Sequence, residues 1–231
     1  MDVLPMFTTQ HALSSADIIA DATFSFKRFS VTMVGVSMSL LSLDIQQQTL
    51  ERQTKLTRLR KDLQQVAAEV LSASKRSIFA LHREDTHASE QERKTAEQAI
   101  ARGWTIVSSE GLLAHEGAWR AAREEYAEAA LLAEYVKDHT LNIHPDKDHD
   151  PDILIGGLSD FLGELVRLAV LAATRGHIQP IEQYYQDAVE LMDFLLQMDL
   201  TGHLRTKVDQ AKQHVKKLEE IRYDLSFRRP S

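Results

Sequence analysis

Apolar positions along residues 44–82 recur at alternating three- and four-residue steps. Leu56, Leu59, Leu63, Val66 and Val70 fall on one stripe, the mark of a long amphipathic helix from Asp44 to about His82. A second helix is predicted from Thr86 to about Ile106, with Glu90 and Glu92 near its first turn, and its polar character places it at the periphery. The third runs from about Glu110 to Asp138 almost without helix breakers, and residues 139–151 (HTLNIHPDKDHDP) then read as a solvated loop bounded by Pro145 and Pro151. Residues 152–175 are apolar on nearly every face (Leu154, Ile155, Leu158, Phe161, Leu162, Leu165, Val166), as expected of a helix buried by its neighbours. Gly176 closes this core helix and Pro180 opens a fifth, to about Met198. The sixth places Leu204, Val208, Ala211, Val215, Leu218 and Leu225 on one stripe. The expected fold class is all-α, an antiparallel helical bundle.

The first 43 residues break the pattern. They mix Ser, Thr and short apolar runs without a sustained helical period, so the predicted organisation is a poorly defined segment 1–43 followed by one helical domain, 44–229. The uncharged stretch 29–43 (FSVTMVGVSMSLLSL) is too short and too rich in Ser and Thr for a membrane span, which needs roughly 20 mainly apolar residues. No membrane association is expected. The chain has no cysteine, which excludes disulfides, thiolate catalysis and cysteine-ligated metals and suits a reducing compartment. A net charge of −7 argues against a dedicated duplex-DNA binder.

Within this acidic chain two pairs of carboxylates stand out. Glu125 and Glu128 are three apart on the third helix, and Asp160 and Glu164 four apart on the fourth, so each pair shares a helix face. Facing helices that each supply two carboxylates make a hard-oxygen site suited to Mg²⁺ or Mn²⁺. The spacing alone is weak among 34 acidic residues, and Glu116, Glu124 and Glu134 illustrate the background. Asp160 and Glu164, however, interrupt the most apolar helix, where an unpaired buried charge is costly. A structural salt bridge to Arg167 is the alternative.

Charge is also unevenly spread. Residues 52–83 hold Arg52, Lys55, Arg58, Arg60, Lys61, Lys75, Arg76 and Arg83 against only Asp62 and Glu69. Such a face can track a phosphate backbone by counterion release, or it can be an ordinary solvated face paired with acidic neighbours. His139, His144 and His149 share one loop, where solvation is favoured over a metal cluster. Phe79 and Tyr184–Tyr185 have the rings to stack on bases, but their helical spacing fits a core equally well.

Four segments resemble the translin superfamily, in particular its translin-associated protein X (Trax) branch: SASKRSIFALHR (72–83), EEYAEA (124–129), DILIGGLSDFLGELVRL (152–168) and VKKLEEIRYDLSFR (215–228). The resemblance covers residues 45–229. Ile153 stands where that pattern carries Tyr, and residues 29–43 have no counterpart, reading as an insertion or a gene-model artefact between FKRF and DIQQQTLERQTKL.

The resemblance implies a bundle of six to seven helices that assembles, with translin or with copies of itself, into a hollow octameric oligomer holding single-stranded RNA or DNA. It further implies an Mg²⁺-dependent endoribonuclease acting on small-RNA passenger strands or tRNA fragments. Carried over by residue, Glu128 and Glu164 are the metal ligands and Glu125 and Asp160 complete the catalytic cluster; on the charge asymmetry of residues 52–83, Arg58, Arg60, Lys61, Lys75, Arg76 and Arg83 are the expected nucleic-acid contacts. The rival reading is a non-catalytic scaffold subunit that only binds single strands. A cytoplasmic location is expected; no basic bipartite stretch marks the N-terminus for the nucleus, whose occupancy stays open.

Overall fold

A computed structural model describes residues 40–226 of the chain. Most of segment 1–43, including residues 29–39, lies outside the described residues. The described part is all-helical: α1 (Leu43–His82), α2 (Thr86–Ser109), a 3-10 turn (Gly111–His115), α3 (Gly117–Asp138), α4 (Pro151–Thr174), α5 (Gln179–Leu196) and α6 (Gly202–Ser226). Two compact units divide the chain after Gln47. In the first, the described residues 40–47 are a bend and the opening of α1. All that follows concerns the second, Gln48–Ser231. No described helix is long and apolar enough to cross a membrane.

The helix ends follow local chemistry. The Asp85 side chain caps α2 by accepting from Ala88 N–H, and Asp150 caps α4 by accepting from Asp152 N–H, with Pro151 in the first turn where no donor is needed. Gly176, at φ 77°, supplies the left-handed turn after α4. The predicted third helix is divided, since the 3-10 turn and Glu116 precede α3.

Two cores result. Ile78 and Leu81 of α1 join Leu131, Leu132 and Tyr135 of α3, Phe161, Leu162 and Leu165 of α4, Ile181 and Leu195 of α5, and Val208 and Leu218 of α6 in the larger one. The smaller joins Leu63, Ala67, Val70 and Ala73 of α1 to Ala96, Ala99 and Val107 of α2, Leu113, and Trp119 and Ala122 of α3. Helix α2 is therefore less peripheral than its polar sequence predicts. Its buried strip is made of small residues, and Gly103 admits the Trp119 ring into the space a Cβ would take.

Chain direction differs from a simple up-and-down bundle in one place that matters. Ser77–Ser89, Arg76–Glu92 and Arg52–Glu110 contacts show α1 and α2 antiparallel, as their short turn requires. By contrast Arg120–Asp152, Gly156 against Glu124, Gly157 against Ala127, and Tyr135 against Phe161 all advance together, so α3 and α4 run parallel. Residues 139–150 carry the chain back along the bundle. This return loop is not merely solvated: Asp146 is buried and takes two hydrogen bonds from the Arg123 guanidinium, at 2.9 and 2.7 Å, while Arg123 also lies over the Trp104 ring.

The parallel pair touches through glycine. A Cβ on Gly157 would stand 2.7 Å from Ala127 Cβ and 3.3 Å from the Glu128 backbone nitrogen. Gly157→Ala must therefore move one helix off the other, at about 1–3 kcal/mol. Thermal denaturation of this variant is expected to show a midpoint lower by roughly 3–10 °C; an unchanged midpoint would contradict the close contact.

Candidate active site

Parallel packing in register places the acid pair of α3 against the acid pair of α4. Glu128 is 9% exposed and Glu164 has a side chain 14% exposed, whereas Glu125 and Asp160, at 20% and 34%, are nearer solvent. Glu125 and Asp160 line a cavity of about 770 Å³ together with Arg120, Glu124, Asp152, Asp199, His203 and Lys207. The four predicted acids are electrostatically one cluster. Burial pushes the Glu128 carboxyl up to about 9, and the charges of Asp160, Glu125 and Glu164 act in the same direction. Burial likewise raises Glu125, with Lys75 opposing the rise and Asp160 adding to it.

Three further residues belong to the cluster, and sequence reasoning missed all of them. Glu124, read as background acidity, is buried under Gly156: a Cβ there would meet its carboxyl carbon at 2.9 Å. Lys207 of α6 donates to Glu124 Oε2 at 2.8 Å and to Asp160 Oδ2. His82, at the end of α1, hydrogen-bonds Glu164 Oε2 through Nε2; its Nδ1 is buried with no hydrogen-bond partner, so Nε2 is the atom that carries the contact. Lys75 Nζ approaches Glu125 at 4.0 Å and His203 Nε2 approaches Glu124 at 3.4 Å. A lysine in the polar half of α6 carries no signal in its own helical pattern, because its partners sit on helices far away in sequence. The Leu-His-Arg segment did contain His82, without marking its role.

Two expectations change. Arg167 is no salt-bridge partner of the acids, since its guanidinium lies over the Phe79 ring, 5.0 Å from the centroid. This places a half-exposed aromatic ring beside the acidic cluster, one turn of α4 beyond Glu164. The basic face of α1 is partly consumed: Arg52 pairs with Glu110, Arg60 with Glu116 at 2.6 Å, and Arg76 with Glu92 at 2.8 Å. Arg58, Lys61 and Arg83 are exposed, and none forms an ion pair among the described residues.

The donor set, carboxylate oxygens with one member driven toward its neutral form by burial, fits the chemistry of a hard divalent cation. As the side chains stand, Asp160 is drawn to Lys207 and Glu164 to His82, and among the described residues no three acidic or His side chains are gathered as a ligand set. The loop histidines do not gather either. His144 and His149 stack at 4.3 Å, and His144 Nδ1 lies 3.1 Å from the Asp146 carbonyl. His139 packs edge-on against Tyr135.

Crowded acids leave a signature in metal-free stability. Because the Glu128 carboxyl is raised from 4.5 to about 9, the folded protein between those values holds a proton that the unfolded chain has released. Stability therefore falls as pH rises through that window. Glu128→Gln removes the effect, so the variant is expected to exceed the unmodified protein in stability by on the order of 3 kcal/mol at pH 8, with the gap nearly closed at pH 5. Denaturant titrations at the two pH values measure it, and a gap independent of pH would rule out the raised carboxyl.

A sequence model of the Translin family matches residues 150–229, which comprise α4, α5 and α6. No curated protein sequence matches the chain. Among solved structures the fold is similar to apo-NeC3PO, with TM-score 0.69 and 22% identity over 80% of this chain and 98% of that one. It is also similar to AfC3PO in complex with duplex RNA (TM-score 0.72, 20% identity) and to AfC3PO alone (TM-score 0.71, 20% identity), each again over 80% of this chain and 98% of the other. The fold of this chain is thus the fold of those C3PO chains, and the stretch that matches the Translin family carries Asp160, Glu164 and Lys207.

Proposed function

We propose that this chain is a Trax-like subunit of a metal-dependent endoribonuclease, acting in the cytoplasm, with nuclear residence left open, as part of a hollow oligomer with a translin-like partner or with itself. The observation that carries the reading is the mutual electrostatic influence of Glu125, Glu128, Asp160 and Glu164 from two parallel helices, with Glu125 and Asp160 at the wall of one cavity. Likeness of fold to a chain solved with duplex RNA supports the substrate class.

Glu128 and Glu164, the deeper pair, would hold Mg²⁺ or Mn²⁺. Bound there, the ion supplies polarisation of a phosphate oxygen and acidification of a water. Glu125 and Asp160, which line the cavity, orient the attacking water, and one of their carboxylates takes its proton. Water adds across the P–O bond and the ribose oxygen leaves with the bonding pair. Arg120 and Lys207 are the cations of the cavity wall that can face a phosphate, and Phe79 with Arg167 offers an adjacent ring for an unstacked base.

Cleavage of a labelled single-stranded RNA in Mg²⁺, with and without a translin-like partner, tests this. Glu128→Ala combined with Glu164→Ala is expected to lower the cleavage rate at least about 100-fold while RNA binding persists; an unaltered rate overturns the reading. A second reading, a non-catalytic single-strand-binding subunit, is favoured by the ungathered acids and by the exposed Arg58, Lys61 and Arg83. Neutralising those three is expected to weaken RNA binding and to flatten its salt dependence by up to about 3 units of slope. Binding that keeps both its strength and its slope removes α1 from the nucleic-acid path.

A further inference from the structure

Lys207 is set unusually for a residue of the polar side of α6. Its side chain is 14% exposed, and its ammonium joins Glu124 Oε2 at 2.8 Å to Asp160 Oδ2 at the wall of the cavity. The two partners differ. Glu124 is sealed beneath Gly156 and has a side chain 6% exposed, whereas Asp160 is 34% exposed and belongs to the four-acid cluster. One partner is an anchor and the other is shared with the site.

The other side-chain nitrogens near the cluster are placed differently. Lys75, half-exposed on α1, reaches only to 4.0 Å from Glu125; His203, 64% exposed, lies 3.4 Å from Glu124; His82 is committed to Glu164. Burial alone would pull the Lys207 ammonium toward its neutral form, but the hydrogen bonds it donates to Asp160 and Glu124 outweigh it and hold its pKa above the ordinary lysine value. A permanent positive charge therefore sits at the shared carboxylate.

We propose that Lys207 is a resident counter-cation of the acidic site: it occupies Asp160 in the metal-free protein, competes with a divalent cation for the cluster, and on exchange stays tethered to Glu124 with its ammonium turned to the cavity, where an RNA phosphate binds. The inference rests on the reading of the four acids as a metal site. It explains why an acidic site is found with its acids ungathered: four carboxylates at the join of two helices repel one another, and a tethered ammonium offsets part of that repulsion without filling the site.

Binding of Mn²⁺ to the full chain without RNA, followed at pH 8 by the paramagnetic resonance of the free ion, tests it. Lys207→Gln is expected to bind Mn²⁺ about tenfold tighter than the unmodified protein, and Lys207→Arg, which keeps the charge, to bind as the unmodified protein does. Equal or weaker binding by Lys207→Gln overturns the exchange and leaves the metal site standing; absence of binding in both proteins overturns the two readings together. Should Lys207→Gln not fold, the unmodified protein answers alone. Acylation of Lys207 by an N-hydroxysuccinimide ester, read by mass spectrometry, is expected to quicken several-fold on saturation with Mn²⁺ while exposed Lys147 and Lys216 serve as unchanging references. A Lys207 rate that does not change with Mn²⁺ overturns the proposal.

Discussion

The contact between α3 and α4 at Gly156 and Gly157 governs the rest of the molecule. Helix axes separated by ordinary side chains stand roughly 8–10 Å apart. Here Gly157 leaves room for Ala127 and the backbone of Glu128, and Gly156 leaves room for the Glu124 carboxyl. Acidic side chains are short compared with such a spacing, so close approach is what allows carboxylates on two helices to act on one another. The parallel direction matters as much. A tight turn between the helices would have run them antiparallel and reversed the register, pairing the early acids of α3 with late positions of α4. Residues 139–150 avoid this by carrying the chain back, and the buried Arg123–Asp146 fork fixes that return to α3 two residues before Glu125. Breaking one side of such a buried pair leaves an uncompensated charge, which is why the fork also fixes the loop strongly.

Four carboxylates brought together in this way oppose folding unless charge is balanced or protons are taken up, and both occur. Glu128, the most buried of the four, holds its proton to about 9. Asp160 meets the Lys207 ammonium from α6, and Glu164 meets the His82 ring nitrogen from the end of α1. The acidic cluster thereby helps to hold two other helices against α3 and α4. Partially buried ion pairs of this kind are modest contributors to net stability, because desolvation offsets much of the attraction. Their sharper consequence is specificity of register: α6 displaced by one residue would turn Lys207 about 100° away from its carboxylates.

Helix existence was legible from the sequence because it depends on local periodicity and local stop signals. Leu63 and Val70 are buried as their stripe predicts, Gly176 adopts the left-handed turn, and α4 is buried along most of its length. The predictions that needed correction all depend on tertiary register. The third helix is divided because Gly111–His115 tightens to i+3 bonding. Helix α2 reads as peripheral because Ala96, Ala99 and Gly103 bury closely while contributing little hydrophobicity. Glu124 cannot be separated from Glu125 by spacing, since successive helical residues point about 100° apart and only the position of α4 determines which faces inward. Lys207 and His82 are invisible for the same reason.

Charge on α1 illustrates how composition misleads in the opposite direction. Eight basic residues between 52 and 83 look like one nucleic-acid face. The fold divides them. Arg52 and Arg60 tie the start of the helix to Glu110 and Glu116, and Arg76 ties its later turns to Glu92, so that these guanidiniums hold α2 and the start of α3 in place. Arg58, Lys61, Arg76 and Arg83 lie on nearly the same outward angle of the helix, and Phe79 lies within that arc beneath Arg167. The buried face of the same helix turn carries His82, the residue before Arg83, and His82 is the one that holds Glu164. The last turn of α1 thus reaches the acidic cluster through a single side chain.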